Sequence, residues 1–296
     1  MKYFEVSCEI RPFSEDAADV LSAQLAEIGF ESFSQTESGL LAYIQQSAWN
    51  EDEMRQVVRN FCLPEVEIRY TKAEAPDEDW NQVWEEEGFQ PIIIPSEEGQ
   101  EEALIVVHDV KHTDVPPAKY DIVITPRLAF GTGSHSTTRL ILRTLARLDL
   151  EGKDVIDAGT GTGILAIMAM KCGASYVFAY DIDEWSVENA KENLLLNKIY
   201  TNVNVEVGAS YMLKGQPKAD LLIANINRNI LLEDLPQFAK VVKDKGKMIL
   251  SGFYQPDVDT LTEAALQHGF FPIDMECEGD WAMLLFEADA LGRRDV

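Results

Sequence analysis

Apolar and polar residues alternate from Tyr3 to Ile10, which predicts a strand. Ala18, Leu21, Leu25 and Ile28 then recur at helical spacing, with Ser14 placed to cap and Gly29 to close. Phe30–Gln35 and Gly39–Gln45 read as a strand pair around a Glu-Ser-Gly turn. Asn50 opens a second helix with Met54, Val57, Val58 and Phe61 inward, and Val66–Tyr70 closes the set. The order is βαββαβ, which predicts a small ferredoxin-like α+β module over residues 1–72.

The pattern changes after that. Residues 73–110 carry twelve acids and no Lys or Arg. Within them Trp80, Val83 and Trp84 stand at i, i+3 and i+4, which predicts a short helix with an aromatic stripe and an acidic back. It reads either as a connector that meets a basic substrate or as a surface helix packed by its tryptophans. Phe89–Ile94, Ala103–His108 and Tyr120–Ile124 read as lead-in strands, so residues 73–120 form a connecting segment. From 121 to 296 strands and helices alternate. A helix follows 125–139. Then come strands Val155–Asp157, Tyr176–Tyr180, Val203–Val207, Ala219–Ile226 and Lys247–Leu250, with helices Ile164–Lys171, Asp183–Asn197, Leu231–Lys243 and Val258–His268 among them. Phe271–Cys277 and Trp281–Glu287 read as a terminal antiparallel hairpin. The fold class is α/β, a mostly parallel sheet wound on both faces, with the small module in front.

One stretch carries chemistry. Asp157-Ala-Gly159-Thr-Gly161-Thr-Gly163 joins a strand to a helix, and the next strand ends on Asp181, 22 positions after Gly159. Glycines permit the sharp turn and a ligand lying on the backbone. An acid at the second strand end accepts bonds from both ribose hydroxyls of an adenosine ligand. The spacing is not the dinucleotide G-x-G-x-x-G that seats a pyrophosphate. It suits S-adenosylmethionine, which has no phosphate. The competing reading is a purely structural turn. Gly159, Asp181 and Asn225 all stand at the carboxyl ends of predicted strands, where α/β sheets bind ligands.

Composition narrows the partners. The 296 residues hold 51 acids against 25 Lys and Arg, a net charge of -26. That disfavours direct binding of nucleic acid or anionic membrane and favours a basic partner, unless the charge serves solubility alone. Four scattered cysteines and four histidines make no metal-ligand pattern, so no metal is expected. The start MKYFEVSCEI lacks an apolar signal core, and a reduced, cytoplasmic chain is expected.

The loop LAFGTGSHSTT, the motif VIDAGTGTGILAI, the run DIDEWSVENAKENLLLN, the segment IANINRN, the DWNQVW helix and the SGF at 251–253 together resemble the ribosomal protein L11 methyltransferases. The resemblance implies a seven-stranded class I methyltransferase domain and S-adenosyl-L-methionine as methyl donor. It also implies methylation of amino groups of ribosomal protein L11, at lysine side chains and the N-terminal amine, with the front module recognising the substrate. It places cofactor binding on Thr138, Gly159, Asp181 and Asn225, and Gly161 of the same glycine turn is expected to join them. Asn225 is the expected catalytic residue, its amide oxygen accepting the amine N–H bonds. The chain departs from the family pattern at Thr125-Pro126-Arg127, where Asp-Pro-Gly is usual. It departs again at Thr160, where Cys is usual, and at Asn227-Arg228, where Leu-Ala is usual. Rival readings are an N-methyltransferase for another protein or a small-molecule amine, and a non-catalytic binding module for the same cofactor. A nicotinamide dehydrogenase is disfavoured by the glycine spacing.

Overall fold

The computed structural model describes residues 3–36, 38–46, 48–59, 61, 66–74, 89–96, 102–112, 114–125 and 135–289. The chain divides into two compact units, Met1–Val83 and Trp84–Val296.

The first unit runs β1 (Tyr3–Arg11), α1 (Glu15–Glu27), β2 (Phe30–Thr36), β3 (Gly39–Gln45), α2 (Glu51–Arg59) and β4 (Glu67–Glu74). The sheet order is β2-β3-β1-β4, with antiparallel neighbours throughout. The capping residues act as their types require: Ser14 Oγ accepts the Ala17 N–H at 3.2 Å and Asn50 Oδ1 the Asp52 N–H at 3.1 Å. Val6, Cys8 and Ile10 alternate inward along β1 and meet Leu40, Ala42 and Ile44 of β3, Leu21 and Leu25 of α1, and Met54 of α2. Burial pushes the Cys8 thiol up to about 12, which leaves it an inert core residue. The last strand is longer than its apolar residues predict. It pairs with β1 as far as Phe4↔Glu74, because an edge ladder is held by backbone bonds and tolerates polar side chains. The DWNQVW segment, 79–84, lies outside the described residues.

In the second unit β5 (Ile92–Ile94), β6 (Ala103–His108) and β7 (Ala118–Val123) make a separate three-stranded sheet. The chain then forms α3 (Ser136–Arg147), β8 (Asp154–Ala158), α4 (Ile164–Lys171), β9 (Tyr176–Asp181), α5 (Glu184–Leu196) and β10 (Val203–Val207). It continues through β11 (Ala219–Asn225), α6 (Arg228–Val241), β12 (Val242–Tyr254), α7 (Val258–Gln267), β13 (Phe270–Glu278) and β14 (Trp281–Ala288). The main sheet has seven strands in the order β10-β9-β8-β11-β12-β14-β13, parallel except at the terminal hairpin. Both of its faces are covered, as expected. Val155 and Ile156 are neighbours on β8 yet enter opposite cores, one with Leu140 and Leu165 and the other with Leu235 and Phe238.

Two elements of this unit extend beyond their sequence reading through contacts the sequence does not mark. The helix after Asn225 starts at Arg228 instead of Leu231, because Asn227 caps it and accepts the Asn229 N–H at 2.9 Å. The strand expected over 247–250 extends over 13 residues, because β14 pairs with it from Lys247↔Glu287 to Tyr254↔Trp281. One side of α3 is fixed to the terminal hairpin by charge. Arg139, Arg143 and Arg147, one per helical turn, pair with Glu278, Glu276 and Asp274, every second residue of β13. Burial would raise the Glu278 carboxyl, but hydrogen bonds from Arg139 and Arg143 hold it below the ordinary carboxylate value. Among the described residues no helix is long and apolar enough to cross a membrane.

Candidate active site

The site grows from the tips of three adjacent strands, β9, β8 and β11. At the tip of β8 the chain turns through Gly159, Gly161 and Gly163, with φ of 73°, 52° and 80°. All are in the left-handed region, which disfavours any side chain. Two of them are also sterically closed. A Cβ on Gly159 would lie 2.3 Å from Ile226 Cγ2, and one on Gly163 would lie 3.0 Å from Ala190 Cβ on α5. The sequence reading reserved the glycine space for ligand; at these two positions it also admits neighbouring parts of the protein.

The turn is stitched to β9. Gly159 and Thr160 donate their N–H groups to Tyr180 O at 2.9 and 3.1 Å. Gly161 N–H donates to Asp181 Oδ2 at 2.9 Å, and Asp183 N–H to Asp181 Oδ1 at 3.0 Å. Each carboxylate oxygen keeps one further lone-pair site, so the group can take two more donors. Asp181 therefore stands with a fixed orientation at the rim of a pocket of about 820 Å³. That volume suits a nucleoside-sized ligand.

Gly159, Gly161, Asp181 and Asn225 all line this pocket. Thr138 does not. It is 1% exposed in the first turn of α3, and its neighbour Thr137 faces the pocket instead. Thr138 Oγ1 and Asn225 Oδ1 are both buried with no hydrogen-bond partner among the described residues. Such orphaned atoms are rare unless something else satisfies them. Asn225 lines the pocket together with the glycine turn and the Asp181 carboxylate, so the lining offers acceptors for hydroxyl and amine protons and bare backbone beside them. Within the described residues, no group of three or more His, Cys, Asp or Glu could hold a metal.

Several lining residues escaped the sequence reading. One of them, His135, is the N-cap of α3. Its Nδ1 accepts from Thr137 N–H at 3.3 Å and from Thr137 Oγ1 at 2.8 Å. Burial, and then the Arg139 charge, hold the imidazole below its ordinary value, so Nδ1 stays free to accept. The His135 ring meets the Trp281 ring edge to face at 4.6 Å, and Trp281 stacks on Tyr254 at 4.3 Å. His135, Trp281 and Gly252 line the pocket mouth near Asn225. A Cβ on Gly252 would fall 2.4 Å from the Ile226 carbonyl oxygen, so the glycine of the SGF segment admits the backbone that follows Asn225. Ile182, Ala209, Tyr211, Ile230 and Asp234 line the side beyond Asp181. Ile182 was within reach of sequence reasoning, as the residue after a strand-end acid. The others come from the loop after β10 and the face of α6, which no local pattern marks.

The departures from the family pattern have visible partners. Asn227 caps α6 and lines the pocket, and Arg228 pairs with Asp257 at 3.2 Å. Thr125 is described, whereas Pro126 and Arg127, with the rest of the loop to Ser134, lie outside the described residues. Thr160 Oγ1 donates to Asp157 Oδ2 at 2.6 Å. Asp157 is wholly buried, and burial pushes its carboxyl up to about 7, with Thr160 pulling down and Asp181 pushing up. A folded-state value above the unfolded 3.8 stabilises the fold below that lower value. The contribution is lost as pH rises through about 7. Asp157→Asn is therefore expected to melt above the unaltered chain at pH 8, by roughly 4 kcal/mol at most, with the difference closing towards pH 4. Thermal melts at the two pH values check this; a variant equally destabilised at both contradicts it.

The model of the family described as ribosomal protein L11 methyltransferase matches residues 13–289. A ribosomal protein L11 methyltransferase of Phocaeicola vulgatus is 44% identical over 286 residues, covering 97% of this chain and 99% of its own. That of Porphyromonas gingivalis is 42% identical over 295 residues, covering 98% of this chain and 99% of its own. Among solved structures, a ribosomal protein L11 methylase from Lactobacillus delbrueckii subsp. bulgaricus superimposes with a TM-score of 0.59 at 30% identity. It covers 67% of this chain and 98% of its own.

Proposed function

Since the chain belongs to the ribosomal protein L11 methyltransferase family, we propose that it transfers methyl groups from S-adenosyl-L-methionine to amino nitrogens of ribosomal protein L11. The acceptors are lysine side chains and the N-terminal amine. The observation that carries this reading is the convergence of Gly159, Asp181 and the orphaned Asn225 Oδ1 on one pocket.

S-adenosylmethionine, when bound, supplies a methyl carbon already activated by its sulfonium. The chain's task is then to align, to desolvate and to select the unprotonated amine. Asp181 holds the ribose hydroxyls, and Gly159 and Gly161 leave room for the methionyl part. Asn225 Oδ1 accepts an N–H of the incoming amine and so directs its lone pair into the pocket. An ammonium has no lone pair to direct, so the amine sheds its proton to water on entry. The Trp281 ring in the lining, backed by Tyr254, helps keep water from the reacting nitrogen. The residue 1–72 module recognises the substrate, and the net charge of -26 favours a basic one.

The purified chain, incubated with S-adenosylmethionine and ribosomal protein L11, is expected to raise the mass of L11 in methyl steps. Peptide mapping is expected to place them on amines. An L11 that stays unmethylated while another protein or a small amine takes the label would overturn the substrate assignment.

A further inference from the structure

Helix α5 carries asparagines at 189 and 193, and a third, Asn197, is its C-cap, so they recur once per turn. Asparagine is a poor residue inside a helix, and an amide buried without partners is costly. Asn189 is 2% exposed and Asn193 0%. Their bonds explain them. Asn197 Oδ1 accepts the Val123 N–H at 3.0 Å, and its Nδ2 donates to Val123 O at 2.5 Å. Asn193 Oδ1 accepts the Thr125 N–H at 2.9 Å, and Asn189 Nδ2 donates to Thr125 O at 2.8 Å. Four helical residues rise about 6 Å and two strand residues about 6.6 Å, so the two repeats keep step. The asparagines thus take the place of a neighbouring strand along Val123–Thr125.

Asn193 does one thing more. Its Nδ2 donates to Thr162 O at 2.9 Å, between Gly161 and Gly163. One amide therefore spans the segment after β7 and the glycine turn. That turn carries the Gly161 N–H bonded to Asp181. Nothing in the methyl-transfer chemistry uses these asparagines, and Asn197 touches neither Thr125 nor the turn in the bonds above.

We propose that Asn193, supported by Asn189, is a positioning residue for cofactor binding. It sets the Thr160–Gly163 turn, through the Thr162 carbonyl, in the shape that receives S-adenosylmethionine. This rests on the cofactor assignment made above. Asn197 provides the comparison, since it ties three backbone groups against two for Asn193, but only at Val123 and at Asn193 O in the helix it caps.

The test compares Asn193→Ala and Asn197→Ala in the full chain, with calorimetric titration of S-adenosylmethionine and thermal melts. Asn193→Ala is expected to weaken binding about tenfold, the worth of one buried hydrogen bond, while Asn197→Ala changes it less than about twofold at a similar loss of melting temperature. In turnover assays the KM for the cofactor rises in Asn193→Ala and kcat at saturation holds. Equal binding losses in the two variants, or unchanged binding in Asn193→Ala, overturn the proposal. If Asn193→Ala does not fold, Asn189→Ala takes its place, with weaker binding than Asn197→Ala expected and equality overturning. The unaltered chain is titrated alongside: its failure to bind would sink the cofactor assignment, a result distinct from any difference among the variants.

Discussion

Replacing Asp181 with alanine is expected to abolish measurable uptake of S-adenosylmethionine. The carboxylate ends β9, and its two oxygens already anchor the N–H groups of Gly161 and Asp183 at 2.9 and 3.0 Å. Alanine would lose the ribose bonds and release the glycine turn together. Two hydrogen bonds to a charged group are worth about 3 kcal/mol or more, hence a loss of over about 100-fold in affinity. Asp181→Asn keeps an acceptor and is expected to fall between the two. Calorimetry reads the binding, and circular dichroism checks that the variant folds. An alanine variant that binds as tightly as the unaltered chain would remove Asp181 from the cofactor site.

The second large effect is on turnover. Asn225→Ala is expected to lower kcat about 100-fold, with a smaller loss of cofactor affinity. Asn225 Oδ1 is buried at the end of β11 without a partner among the described residues. In the proposed role, an incoming amine satisfies it only when its N–H points there, and that orientation would direct the lone pair at the methyl carbon. Without the oxygen the amine binds in more than one pose. Single-turnover rates at saturating cofactor isolate this step from binding. A variant that turns over normally with cofactor bound would refute the role given to Asn225.

Much of the architecture was legible because it is written locally. Period-two and helical spacings located the strands and helices of the front module and of the sheet to within a few residues, and Ser14, Asn50 and Asp183 marked helix starts by capping chemistry. The glycine turn and the strand-end residues Asp181 and Asn225 were visible for the same reason: each follows an apolar run and interrupts it. Thr138 was reached only through a family resemblance. Its placement shows why, since it sits beneath the pocket lining with its hydroxyl buried. The N-cap at His135 went unread because Ser, Thr, Asp and Asn are the usual caps, and three hydroxyls, Ser136, Thr137 and Thr138, follow it directly.

The sequence by itself determined that two modules stand in series, that the second is a doubly wound sheet, and that its binding end bears glycines, an acid and an amide. Those are consequences of spacing and residue type, which operate over a few neighbours. Tertiary structure decided the rest. Tyr254 and Trp281 meet because β12 and β14 pair in one register, and Gly252 is glycine because the Ile226 backbone crosses it. The asparagines of α5 look like poor helix formers until the strand edge they satisfy is folded against them. Contacts between residues far apart in the chain are set by packing and register, and no stretch of sequence holds both partners.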